Sequence, residues 1–164
     1  MTYRIVVMGV SGSGKSSVGQ ALAQRLGADF RDGDDLQPPE NVAKMRAGTP
    51  LTDDDRWPWL DRVAAVLADQ APVVVACSAL KRAYRDRIRA GAGGQVRFVH
   101  LAGSRDLIAA RMARRQGHYM PVSLLDSQFA ALEPPGPDEA ATVGIDGTVD
   151  SVLDRALLAI RGSD

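Results

Sequence analysis

The chain has a single cysteine, two histidines, 5% aromatic residues and no excess of charge of either sign, and each scarcity excludes a class of answer. Cys77 cannot close an internal disulfide. At the end of the apolar run Val73-Val74-Val75-Ala76 it reads as a small buried hydrophobe in a reducing compartment. His118 has no second histidine or cysteine at ligand spacing, which argues against a transition-metal centre, and His100 lies inside an apolar strand pattern as a core residue. Lys+Arg and Asp+Glu are both 20, so no global field draws the protein to nucleic acid or to a membrane surface. No apolar run reaches the roughly 18 residues of a membrane span. Met1 leads directly into a strand pattern, so no signal peptide is expected and the cytoplasm is the expected location. What remains is a chain of 164 residues, 45% hydrophobic and 24% charged, long enough for one domain with its own core.

Against that plain background one segment stands out. Gly9-Val10-Ser11-Gly12-Ser13-Gly14-Lys15-Ser16 follows the phosphate-loop pattern G-x-x-x-x-G-K-[ST]. The glycines let the backbone curl so that successive N–H groups point inward at α- and β-phosphates. Lys15 is expected to reach the β- and γ-phosphates, and the Ser16 hydroxyl to hold Mg²⁺. The flanks suit the pattern: Tyr3–Met8 is an apolar run fit for a buried parallel strand, and Val18, Ala21, Leu22 and Leu26 recur at helical spacing before Gly27. Strand, loop and helix N-terminus together make an anion site, since free N–H groups and the helix dipole both favour phosphate.

Further along, strands are expected at 28–31, 73–77, 96–101 and 142–145. Helices are expected at 15–26, 39–47, 53–69, 81–90, 104–115, 122–132 and 148–161, with a break at Gly117. This alternation predicts an α/β, three-layer, doubly wound parallel sheet whose ligands bind at the carboxyl ends of the strands.

The second strand ends in Asp32-Gly33-Asp34-Asp35. Read as extended backbone, Asp32 and Asp34 point to the same side. One carboxylate could orient the metal while the other accepts a proton from an attacking hydroxyl, although a solvated Asp/Gly turn would use the same residues. After the third strand, where many phosphate-loop ATPases carry a metal-holding Asp, the chain has Cys77 and Ser78, and no Asn-Lys-x-Asp motif occurs. Both absences argue against a motor ATPase or GTPase and favour a small-molecule kinase. Lys81 and Arg85, at i and i+4, could clamp an anionic substrate or belong to a solvated helix face. Arg111, Arg114 and Arg115, ahead of the excursion Gln116–Pro121, suit a lid that neutralises developing charge, with helix-dipole compensation as the structural reading. Trp57-Pro58-Trp59 marks a helix start behind the acidic turn Asp53-Asp54-Asp55, with Arg56 able to face an acceptor.

Lined up, these segments resemble the gluconokinase family of phosphate-loop carbohydrate kinases. The blocks that carry the resemblance are MGVSGSGKS (8–16), DGDDLQPPENVAKM (32–45), GTPLTDDDRWPWL (48–60), CSALKRAYRD (77–86), RMARRQGHYM (111–120) and QFAALEPP (128–135). The resemblance implies transfer of the ATP γ-phosphate to the 6-hydroxyl of D-gluconate, giving 6-phospho-D-gluconate for the pentose phosphate pathway. It also implies Mg²⁺ dependence, a nucleoside-monophosphate-kinase-like fold with strand order 2-3-1-4-5, a lid near 114–126 and a homodimer. By position, Gly9, Ser11, Gly12, Ser13, Gly14, Lys15, Ser16, Ser17 and Arg111 fall to the nucleotide. Ser16 and Asp32 fall to the metal, and Lys15, Asp32, Asp34 and Arg115 to catalysis. Asp34, Lys44, Arg56, Ser78, Lys81, Arg85, His118 and Gln128 fall to the acceptor. One departure is Gln37, where the family usually has His; glutamine keeps the hydrogen bonding but cannot gain a proton near neutral pH. A kinase for another small anionic acceptor, such as shikimate or a nucleoside monophosphate, and a nucleotide-binding regulator without catalysis are the rival readings.

Overall fold

The computed structural model describes residues 2–114 and 122–162, the side chains of 122–124 excepted. Five parallel strands form one sheet: β1 (Arg4–Met8), β2 (Asp29–Asp32), β3 (Val73–Ala76), β4 (Arg97–Ala102) and β5 (Ala140–Gly144), in the order β2-β3-β1-β4-β5. The expected order is therefore observed. β1 lies at the centre, Val7 opposite Ala76 on one side and Met8 opposite His100 on the other. Ile5, Val6, Val7 and Met8 are fully buried, which is why this strand reads as continuous rather than alternating apolar sequence.

Helices α1 (Lys15–Leu26), α2 (Pro39–Arg46), α3 (Asp53–Asp69), α4 (Arg82–Gly91), α5 (Arg105–Ala113), α6 (Val122–Ala131) and α7 (Val149–Gly162) cover the sheet. One apolar layer joins Ile5, Val7 and Val99 to Leu22 of α1 and to Leu153, Leu157 and Ile160 of α7. The other joins Val6, Met8 and Val75 to Trp59, Leu60 and Leu67 of α3 and to Ile88 of α4. Burying each such aliphatic side chain contributes about 1.5–3 kcal/mol.

α3 starts at a complete capping box: Asp55 N–H donates to Thr52 Oγ1 at 3.1 Å, and Thr52 N–H donates to Asp55 Oδ2 at 2.9 Å. Pro58 sits in the second turn of α3 rather than at its first position. Trp59 is buried, its indole N–H donating to Gly33 O at 2.7 Å, so both faces of the Trp-Pro-Trp segment serve packing and one hydrogen bond.

One local expectation fails. Asp32 and Asp34 do not lie on a common extended segment, because the chain tightens into a 3-10 turn at Gly33–Leu36 immediately after Asp32. Asp32 caps that turn, accepting Asp34 N–H on Oδ1 at 3.0 Å. Glycine is required at 33: a Cβ there would stand 2.4 Å from the Ala76 carbonyl oxygen on β3.

Candidate active site

The phosphate loop leaves the carboxyl end of β1 and runs into α1. Gly12 and Gly14 take positive φ values of 82° and 95°, and a Cβ on Gly12 would press on Met112 Cγ at 2.6 Å. The buried Ser13 hydroxyl donates to Val10 O at 2.7 Å and pins the curl. α1 begins at Gly14 with neither a side-chain cap nor an acidic residue in its first turn, so its N-terminal amides and dipole are left for an external anion. Lys15 Nζ folds back to Val10 O at 3.0 Å.

A cleft of about 330 Å³ opens here, lined by the phosphate loop and the start of α1 (Ser11, Gly12, Gly14 and Lys15–Ser17) together with Asp32, Asp34, Ala76 and Met112. A smaller cavity of about 220 Å³ lies at the opposite, N-terminal ends of β4 and β5, away from these groups. Across the cleft Ser16 Oγ donates to Asp32 Oδ2 at 2.8 Å. The 3-10 turn thus brings the two aspartates to the phosphate loop by a different route from the expected one. Asp34 lines the cleft and is exposed to solvent, although the surrounding protein still desolvates its carboxyl in part. Burial, followed by the charge of Asp32, raises its carboxyl above the usual value, while Lys15 pulls it down.

The acceptor-side residues divide into two groups. Tyr84, not singled out in the sequence, organises the first. Its hydroxyl donates to Asp53 Oδ1 at 2.5 Å, the Arg56 guanidinium carbon lies 5.3 Å from its ring centroid and Lys81 Nζ 5.7 Å away. Arg56 and Lys81 each stand 3.9 Å from Asp53. Burial and the bond to Asp53 push the Tyr84 hydroxyl up to about 12, so it remains a donor at every working pH. Lys44 pairs with Asp55 at 2.7 Å. Gln37 is buried and accepts from Asn41 Nδ2 at 2.8 Å, and Asn41 also donates to Asp55 O at 2.8 Å. Asn41 therefore ties α2 to α3 with Gln37 bracing its amide, and Gln37 is not among the residues that bound the cleft.

Arg85, grouped with Lys81 on sequence spacing, belongs elsewhere. Lys81 is the non-helical residue before α4, so the two do not share a helix face. Arg85 is 1% exposed and packs beneath the turn that follows β3, paired with Glu139. The apolar positions Tyr84 and Ile88 mark this same buried face, a signal that the run of surrounding arginines hides. Ser78, partly exposed, accepts Gly9 N–H on its carbonyl at 3.2 Å, joining the turn to the phosphate loop.

Gln128 also differs from its expected place, because it reaches the phosphate loop: Ser11 N–H donates to its Oε1 at 2.7 Å and its Nε2 donates to Ser11 Oγ at 3.0 Å. Arg111 donates to the carbonyls of Ile145 and Gly147 beyond β5. His100 is buried, and its neutral form is favoured by burial and by the Arg85 charge. Arg115 and His118 lie outside the described residues.

Residues 5–135 match the AAA domain family. The gluconokinase of Gluconobacter oxydans (strain 621H) is 52% identical over 165 residues, covering 98% of this chain and 92% of that protein. The thermosensitive gluconokinase of Escherichia coli (strain K12) is 46% identical, covering 95% and 88%. A crystal structure of a gluconokinase from Sinorhizobium meliloti 1021 superimposes with a TM-score of 0.93 at 51% identity, over 98% of this chain and 93% of that one. Identity near one residue in two along almost the whole length, on the same backbone, places this chain in the gluconokinase family.

Proposed function

We propose that this protein transfers the γ-phosphate of ATP to the 6-hydroxyl of D-gluconate, giving ADP and 6-phospho-D-gluconate. The observation that carries the reading is the meeting of Lys15, Ser16, Asp32 and Asp34 around one cleft in a chain so similar to gluconokinases. Lys15 places a positive charge on the β/γ side of the loop. Asp34, whose carboxyl is raised by burial and by the charge of Asp32, accepts the proton of the 6-hydroxyl as oxygen attacks phosphorus in line. Arg56 and Lys81, gathered over the Tyr84 ring, offer the cationic surface that a sugar-acid carboxylate needs.

The donor set fits Mg²⁺. Ser16 Oγ and Asp32 Oδ2 are hard oxygens 2.8 Å apart at the loop, and the described residues contain no cluster of three or more His, Cys, Asp or Glu able to hold a metal without substrate. Ser16 and Asp32 would hold the ion together with phosphate oxygens, and when bound it neutralises charge on those oxygens. A lid over about 114–126, with Arg115 and His118 closing on the substrates, a homodimer and a cytoplasmic location complete the proposal, the last supported by the lone buried thiol.

The test is ADP release by the purified protein with Mg²⁺ and gluconate, shikimate or AMP in parallel. Turnover with gluconate supports the reading; turnover only with another acceptor, or with none, refutes it.

A further inference from the structure

Arg85 is among the largest fully buried side chains of the protein, and all five of its N–H donors are used. Two go to one carboxylate: Nε to Glu139 Oε1 at 2.6 Å and Nη2 to Glu139 Oε2 at 3.2 Å. The other three go to main-chain carbonyls, namely Ala79 at 2.8 Å, Leu80 at 3.0 Å and Glu133 at 2.9 Å. Ala79 is the one non-glycine residue with positive φ (45°) among the described residues. An L-residue holds that conformation only where its surroundings impose it. The turn is gripped from above as well. Glu133 N–H donates to Leu80 O at 2.8 Å, and Gly9 N–H donates to Ser78 O at 3.2 Å.

A buried ion pair is a poor device for stability alone, since two apolar side chains of similar volume often do as well or better. They cannot, however, aim donors at the carbonyls of Ala79 and Leu80. We propose that Arg85, oriented by Glu139, is a positioning residue for the acceptor side of the cleft. By fixing the Ser78–Lys81 turn it sets where Ser78 and Lys81 meet gluconate. The inference rests on the gluconate-kinase reading and adds to it a residue that never touches substrate.

The experiment compares the unaltered protein with Arg85→Lys and with the double variant Arg85→Met/Glu139→Leu. Readouts are steady-state KM for gluconate, KM for ATP, kcat and melting temperature. Lysine keeps a charge for Glu139 but cannot span both turn carbonyls. The double variant removes the buried charges while filling the space. Both are expected to raise KM for gluconate about tenfold or more, with KM for ATP within about twofold. The double variant is expected to melt lower, because the Ala79 and Glu133 carbonyls lose their Arg85 donor and Arg89 loses Glu139, so its kinetics are read well below that melting temperature. A folded variant of either kind with the KM of the unaltered protein for gluconate overturns the inference. A proportionate loss of both substrates that tracks falling melting temperature also overturns it. If the double variant does not fold, Arg85→Lys decides alone. Absence of gluconate turnover in the unaltered protein defeats the functional reading first, and this inference with it.

Discussion

Replacing Asp34 by Asn separates what this carboxylate does for the reaction from what it does to the fold. Its carboxyl is raised by burial and by Asp32, so the folded protein holds a proton there more tightly than the unfolded chain does. Stability must then fall as pH climbs from the usual value of 3.8 through the raised one, and at neutral pH the charge is a net cost. Asn removes that cost and the repulsion from Asp32 while keeping the shape. Cleft water screens the interaction, so the gain is under about 1 kcal/mol, or a rise of at most about 2–4 °C in melting temperature. The same change removes the proton acceptor, and loss of one positioned base lowers kcat by about 10²–10⁴-fold, about 2.7–5.4 kcal/mol of barrier. The assay pairs steady-state kinetics over a wide pH range with a thermal melt near neutral pH. The unaltered enzyme should show an acidic limb in kcat/KM that the Asn variant lacks. Wild-type turnover in the Asp34→Asn protein refutes the base assignment. A melting temperature clearly below that of the parent refutes the electrostatic argument, whatever the kinetics show.

Other expectations follow from single contacts. Gly33→Ala forces a Cβ to within 2.4 Å of the Ala76 carbonyl oxygen, which should lower unfolding stability in urea by about 1–3 kcal/mol or more; an unchanged urea midpoint would contradict the close approach. Asp55 is held at about 2 by Lys44 and by Thr52. Its folded value lies below its unfolded 3.8, so its contribution is present above about pH 4 and lost as pH falls towards 2. Acid titrations of Asp55→Asn should therefore show a flatter loss of stability across that window than the parent. Gln128→Ala removes both bonds to Ser11, and should raise KM for ATP several-fold while leaving KM for gluconate within about twofold. The reverse pattern would return Gln128 to the acceptor.

The strand–loop–helix unit was legible because its signals are local: an unbroken apolar run, a glycine-rich curl and a helix that occupies Lys15–Leu26 as the spacing predicts. Sheet order followed from the family resemblance, and the observed pairing agrees with it. Periodicity could not reveal the 3-10 turn after Asp32, because that turn is capped by a side chain that accepts the next-but-one amide N–H. Nor could it place Arg85. Spacing relates a residue to its own helix, whereas its fate is set by Glu139 on the far side of the sequence, at the entry to β5. Tyr84 went unnoticed for the same reason, since its role depends on Asp53 from a different helix. Gln128 was singled out in the sequence, but its contact with Ser11 of the phosphate loop is visible only in the structure.

The central place of β1 bears on how the protein comes off the ribosome. β1 precedes both of its neighbours in the sequence, so it waits for Ala76 to be made before one flank is complete, and for His100 before the other is. Until β4 has emerged, the Ile-Val-Val-Met stretch of β1 has at least one bare edge, open to pairing with other chains. ATP in the cell therefore has no finished cradle to enter during early translation, and it rewards the completed topology rather than guiding the nascent one.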